Sequence, residues 1–329
     1  MSHTLSMEDF VTNRVNRLTF GILPTTSFSY SLLSPLLKWR ISDLVTFICL
    51  ALSFIGVWKI KPFEREFMLS DQRLQHHYTE VQQVSNTMLF VYSCVIPFII
   101  IAICGVSLNR RLRIYKTFVP LLGLILSVVT TAVLTDALKN YIGRHRPDFI
   151  ARCQPLADAP LDVYVLAKDV CTTEDLDRLH DGFRTTPSGH SLISFAGLHY
   201  LTLWLMGQFI VGNPLVGTWR VLLSFVPTLG ATLIALTRTQ DYRHHFVDIV
   251  IGALIGIVIS WWNYFRLYPW YSSPKSYNPK VYSKIPREEL LPMFNATYNP
   301  PQDTLIPMTE RLVSETHSVY HPDQVYSAE

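Results

Sequence analysis

The chain has 329 residues, of which 49% are hydrophobic, 12% aromatic and only 16% charged, with a formal net charge of +3 and a mean hydropathy of +0.22. An average soluble chain carries about 25% charged residues, so this length and composition fit one membrane domain with extensions rather than two soluble domains. Low charge and few Pro, Gly and Cys exclude a disordered chain, a collagen, a coiled coil and a disulfide scaffold. The small net charge gives no general nucleic-acid footprint.

In chain order, residues 1–42 contain no basic segment followed by an apolar stretch and a small-residue cleavage site. No cleaved signal peptide is expected, and the first apolar run serves as the insertion signal behind a cytosolic N-terminal segment. Six apolar runs follow, near 44–60, 87–107, 117–138, 191–211, 221–236 and 246–265. A helix needs about 20 residues to cross about 30 Å of hydrocarbon. Any one run would fit a buried soluble helix, but six in succession predict an all-α, six-span membrane domain over 43–265. The connection carrying Arg110, Arg111, Arg113 and Lys116 holds no acid and reads as cytosolic. Both termini then share the cytosolic side, while connections 61–86, 139–190 and 237–245 share the opposite face.

Cys49, Cys94 and Cys104 fall inside predicted spans, where a thiol behaves as a small hydrophobe. Cys153 and Cys171 share the long third connection. An oxidising compartment there permits a disulfide between them, with two free thiols as the alternative. From Arg266 the chain carries nine of its twenty prolines, so 266–329 is expected to be a disordered cytosolic tail. Its sequon at Asn295 would not be glycosylated on that side.

Charges at membrane boundaries are costly and point to function. Three clusters stand out: Lys139 to Pro147 after the third run, Thr186 to His190 before the fourth, and Thr237 to Asp248 between the fifth and sixth. The span count alone puts all three on one face. Lys139, Arg146 and Arg238 would supply cationic donors for phosphate oxygens. Ser188 and Gly189 open a helix whose free amides bind anions, with Gly189 permitting close approach. Snorkelling is the alternative for any one cation; it does not account for three converging on a Ser-Gly-His turn.

The histidines supply reactivity. His244 and Asp248 are spaced i, i+4 and share a helix face, so the carboxylate could orient the imidazole as an activated nucleophile. His245 is i, i+3 from Asp248, and spacing alone leaves the choice between the two open. His190 could protonate a leaving oxygen. Asp136, Asp148, Asp241 and Asp248 do not resemble a magnesium cage, and three cations already neutralise phosphate, so metal-independent chemistry without a cofactor is expected.

These segments resemble the three-part signature of the type 2 phosphatidic acid phosphatase (lipid phosphate phosphatase) superfamily. Lys139-X6-Arg146-Pro147, Pro187-Ser188-Gly189-His190 and Arg238-X5-His244-X3-Asp248 carry the match, and Pro62 to Phe67 with Arg238 to Asp248 looks like fungal diacylglycerol pyrophosphate phosphatases. One departure is Thr237, where the family commonly has Ser. The resemblance implies a haloperoxidase-like helical core and magnesium-independent hydrolysis of diacylglycerol pyrophosphate, phosphatidate and lysophosphatidate. It assigns phosphate binding to Lys139, Arg146, Ser188, Gly189 and Arg238, acid catalysis to His190, nucleophilic attack to His244 over His245, and orientation to Asp248. The implied partners are phospholipids in an endomembrane or plasma membrane, with a lumenal or extracellular site, no nucleic acid and no obligate protein partner. A sphingoid-base phosphate phosphatase or a lipid phosphotransferase would share the motifs. A transporter would instead place its charges near the bilayer midplane.

Overall fold

A computed structural model describes residues 40–108, 113–273 and 275–280. The N-terminal segment before Arg40, the basic connection at 109–112 and the tail beyond 280, its sequon included, lie outside the described residues.

The first apolar run forms α1 (Ile41–Trp58), a peripheral helix whose Val45, Ile48, Leu52 and Ile55 are more than half exposed. Its one acid, Asp43, is buried and tied to Arg40 at 2.5 Å and to Arg266 at 2.8 Å. The second run is α2 (Asn86–Phe90), a π turn at Val91–Val95 and α3 (Ile96–Leu108). Ser85 caps it by accepting from the Met88 amide at 3.2 Å, as short hydroxyl side chains do at helix starts. The third run is α4 (Arg113–Ile142), a 30-residue helix that packs against α1 and α3 and forms the centre of the bundle. Its Thr131 and Thr135 donate to carbonyls four residues back at 2.6 and 2.7 Å, which removes the cost of a hydroxyl in an apolar helix.

Residues 59–85 and 143–188 fold together as a cap over one end of the bundle. Its short helices are α5 (Phe149–Cys153), α6 (Ala167–Val170) and α7 (Leu176–Gly182). Phe67, Leu69, Leu74, Phe149, Val170, Leu179 and Phe183 form the cap's own core. Phe67 and Val165 exchange backbone bonds at 3.1 and 2.9 Å, and Cys153 and Cys171 are joined as a disulfide. Cys49, Cys94 and Cys104 are free thiols.

The fourth run differs from expectation. It is helical in three consecutive pieces, α8 (Gly189–Ser194), a π turn at Phe195–His199 and α9 (Tyr200–Gln208). The second run is interrupted in the same way and is still long and apolar enough to span; the fourth carries His190, Ser191, Ser194, His199 and Gln208, so among the described residues five helices, not six, are long and apolar enough to cross a membrane. The two interruptions meet at a backbone contact. A Cβ on Gly197 would lie 1.8 Å from the Ser93 carbonyl oxygen, so the two π turns touch where only glycine fits. Leu192, Ala196, Tyr200, Leu201 and Trp204 are at most 2% exposed, which leaves this run enclosed by its neighbours. The chain then continues as α10 (Thr218–Gln240) and α11 (Phe246–Leu267). The C-terminal ends of α4 and α10 and the N-terminal ends of α8 and α11 meet under the cap.

Gly197→Ala is expected to lower stability by about 1–3 kcal/mol, the usual cost of forced overpacking. Thermal unfolding of the purified protein in detergent should show a lower midpoint; an unchanged midpoint would contradict the contact.

Candidate active site

Each motif residue reaches this end of the bundle by a local device. Lys139 sits one turn from the C-terminus of α4, with its Nζ 3.1 Å from where a Cβ on Gly189 would lie. A side chain at 189 would push that ammonium away. Ser188 caps α8 and has no exposure; its amide donates to the Asp248 carbonyl at 3.0 Å, locking the start of α8 to the first turn of α11. Arg238, 1% exposed, donates to Asp241 at 2.6 Å and to Gln82 at 2.8 Å. The Thr237 hydroxyl accepts from its Nε and Nη2 at 3.2 and 3.1 Å, so the hydroxyl expected there orients the guanidinium. Arg146 comes from the cap, where Nε donates to the Asp181 carbonyl at 2.8 Å and Nη2 to the Asp181 carboxylate at 2.7 Å.

Two of the three cations are paired, Arg146 with Asp181 and Arg238 with Asp241; the third is not. Among the described residues Lys139 has no hydrogen-bond acceptor and no carboxylate within ion-pair distance. Burial drives Arg146 down to about 10, with Asp181 opposing the shift. Burial also disfavours the Asp181 carboxylate, yet Arg146, Arg152, Lys139 and Arg243 together pull it down to about 2. A half-buried ammonium at the positive end of a helix, beside two buried guanidinium groups, is costly when empty and set up for a multiply charged anion. The carboxylates are committed elsewhere: Asp148 to Arg152 at 2.8 Å, Asp241 to Arg238 and Asp248 to Arg144 at 2.9 Å. Among the described residues no three His, Cys, Asp or Glu side chains gather as a metal-ligand set.

The two adjacent histidines occupy different surroundings. His244 is 4% exposed, and burial, reinforced by Arg146, Lys139 and His190, holds its imidazole pKa well below the ordinary range. The neutral ring donates Nδ1–H to the Thr185 carbonyl at 2.7 Å. That leaves Nε2 as the lone-pair nitrogen, without a protein partner among the described residues. His245 instead caps α11 in a reciprocal capping box with Asp248. His190 is buried, and its Nε2 donates to the Val84 carbonyl at 2.9 Å.

The expected contact between Asp248 and His244 is replaced. Asp248 has no exposure and accepts from Arg144 at 2.9 Å, the Thr185 hydroxyl at 2.8 Å, the Thr186 hydroxyl at 2.5 Å and the His245 amide at 2.9 Å. The i, i+4 spacing does bring the two residues to one helix end, but His244 precedes the first turn of α11 and its ring turns toward the Thr185 carbonyl. Arg144, Thr185 and Asp181 are site residues that the motifs do not contain. Arg144 and the Thr pair adjoin recognised motif residues; Asp181, one of several acids in the long third connection, carries no sequence signal of its own.

Apolar helices carrying a concentrated cationic pocket at one end define a polytopic membrane protein that handles an anionic group. The chain belongs to the PAP2 superfamily, whose pattern matches residues 120–271. It is 46% identical over 269 residues to diacylglycerol pyrophosphate phosphatase 1 of Saccharomyces cerevisiae, covering 78% of this chain and 93% of that one. A probable diacylglycerol pyrophosphate phosphatase 1 of Schizosaccharomyces pombe is 37% identical over 71% of this chain and 83% of its own length. Lipid phosphate phosphatase 2 of Arabidopsis thaliana is 32% identical over 75% and 84%. No solved structure matches the chain.

His145, between Arg144 and Arg146, gives the cap a pH dependence. Its ring is 6% exposed, packs on Phe67, Phe149 and Phe183 with centroids 5.3, 4.6 and 5.0 Å away, and donates Nε2–H to the Arg65 carbonyl at 2.9 Å. Burial lowers its pKa from 6.5 to about 4. The unfolded chain therefore takes up the proton first, so this stabilisation is complete above about 6.5 and drains away toward about 4. The thermal midpoint of the wild type should fall faster than that of His145→Phe across this window. Parallel profiles would refute the assignment.

Proposed function

We propose that this chain is a magnesium-independent lipid phosphate phosphatase that hydrolyses diacylglycerol pyrophosphate to phosphatidate and phosphatidate to diacylglycerol, and also accepts lysophosphatidate. The observation that carries the reading is the His244 ring: neutral, held at Nδ1 by a carbonyl, with Nε2 unengaged among buried cations. The names of the relatives support the lipid phosphate class. In this reading the domain crosses the membrane six times, with α8, the π turn and α9 as one traverse in a haloperoxidase-like core, and its site faces the non-cytosolic side.

The terminal phosphoryl group sits between Lys139, Arg146, Arg238 and the amides at Gly189. Nε2 of His244 attacks phosphorus, the bond to the leaving oxygen breaks, and a phosphohistidine forms. The arriving dianion favours the protonated form of His190, which then gives its proton to the leaving oxygen. Water, losing a proton to His190, cleaves the P–N bond and releases inorganic phosphate. The cations neutralise the charge at every stage, as a divalent ion does in other phosphatases.

The test is phosphate release by the purified protein from diacylglycerol pyrophosphate, phosphatidate, lysophosphatidate and a sphingoid-base phosphate, with EDTA present. Activity should persist in EDTA. His244→Ala should lose about 1,000-fold or more in turnover together with any acid-labile phosphoenzyme, because members of a catalytic unit act together. His190→Ala should retain relatively more activity on the pyrophosphate lipid, whose leaving phosphate needs a proton less than an alkoxide does. Abolition by EDTA with rescue by magnesium, or an active His244→Ala beside an inactive His245→Ala, would overturn the reading. Preference for the sphingoid substrate would reassign the lipid.

A further inference from the structure

The same geometry reaches beyond the three motifs. Thr185 bridges the nucleophile to Asp248: its carbonyl accepts from His244 Nδ1 at 2.7 Å, and its hydroxyl oxygen lies 3.3 Å from that nitrogen while donating to Asp248 at 2.8 Å. Arg144 closes the arrangement from the other side. Its guanidinium donates to Asp248 at 2.9 Å, and its own carbonyl accepts from the Thr185 amide at 3.2 Å. Asp248 also grips the Thr186 hydroxyl at 2.5 Å and, through its backbone carbonyl, the Ser188 amide at 3.0 Å.

We propose that Arg144 and Thr185 are positioning residues for the nucleophile, and that Asp248 acts on His244 through the Thr185 turn and not by direct contact. The inference rests on His244 being the nucleophile. A backbone carbonyl accepts a hydrogen bond but takes up no proton at these pH values, so it fixes the tautomer with Nε2 unprotonated. Asp248 holds the turn that carries that carbonyl, and Arg144 supplies the buried carboxylate's counter-charge, without which a fully desolvated carboxylate would be disfavoured. Neither Arg144 nor Thr185 belongs to the phosphate-binding set: Arg144 is spent on Asp248, and the Thr185 hydroxyl faces Asp248.

The test uses the full chain purified in detergent, with diacylglycerol pyrophosphate and phosphatidate as substrates and inorganic phosphate as competitive inhibitor. Thr185→Val removes the hydroxyl but keeps the carbonyl and the branched side chain. A nucleophile displaced by about 1 Å costs about 100-fold in rate, so kcat should fall by about that factor while Ki for phosphate stays within about twofold. Thr185→Ser should recover kcat to within about threefold of wild type. Arg144→Gln should show the same split of kcat against Ki, with partial recovery in Arg144→Lys. The unchanged Ki reports an intact pocket and so separates a positioning role from misfolding.

Retention of kcat by Thr185→Val would overturn the proposal, as would a loss of kcat that the serine variant does not restore. A loss of phosphate affinity in step with kcat would make the residue merely structural and equally overturn it. Should Thr185→Val not fold, Arg144→Gln and Arg144→Lys carry the test: kcat must fall at unchanged Ki in the first and recover in part in the second, and an unchanged kcat in Arg144→Gln refutes the proposal. A wild-type protein inactive on every lipid phosphate would instead sink the functional reading, which is a distinct outcome.

Discussion

A carboxylate sealed from solvent, that of Asp248, joins the three charged segments that form the pocket. It meets Arg144 from the first, the Thr185 and Thr186 hydroxyls beside the second, and its own helix start in the third. An ionised group at zero exposure is tolerable only when its lone pairs are all taken. Four donors converge on it because each segment ends at the same level of the bundle, and that requirement fixes how the ends of α4, α8 and α11 meet. The positions of Lys139, Gly189 and His244 follow.

The cap solves a second electrostatic problem. Arg146, Arg152 and Arg243 all lie within ion-pair distance of Asp181, at 2.7, 3.0 and 3.6 Å. Tyr78 lies under Arg178, Arg152 and Arg243, with guanidinium carbons 3.6 to 4.8 Å from its ring centre. One shared carboxylate and one aromatic face hold these like charges together, leaving the excess of positive charge at the pocket. The apolar core of the cap and the Cys153–Cys171 bond give this arrangement a rigid base.

Much of this is legible in the sequence because it follows one-dimensional rules. Apolar length marks the five runs long and apolar enough to cross a membrane, and cations at the ends of the runs mark the pocket. What escapes the sequence depends on contacts between distant backbones. The π turns at Val91–Val95 and Phe195–His199 touch where Gly197 meets the Ser93 carbonyl, and no periodicity in either segment announces it. The tie between Asp248 and His244 looks direct because i, i+4 spacing assumes both residues are helical, whereas α11 begins only at Phe246. Thr185 enters through its carbonyl, an atom every residue has, so its identity gives no hint of the role.

The order in which the segments leave the ribosome gives the cap another meaning. Both of its parts, 59–85 and 143–188, precede α10 and α11 in the chain, so its core and its crosslink can form while the last two helices are still being made. Arg238, His244 and Asp248 then arrive together on a single hairpin. Until that hairpin docks, Arg144 lacks the carboxylate it donates to in the finished fold. Because Arg144 and Asp248 lie 104 residues apart, their contact closes only once the last helix is in place, and the pocket is complete only then.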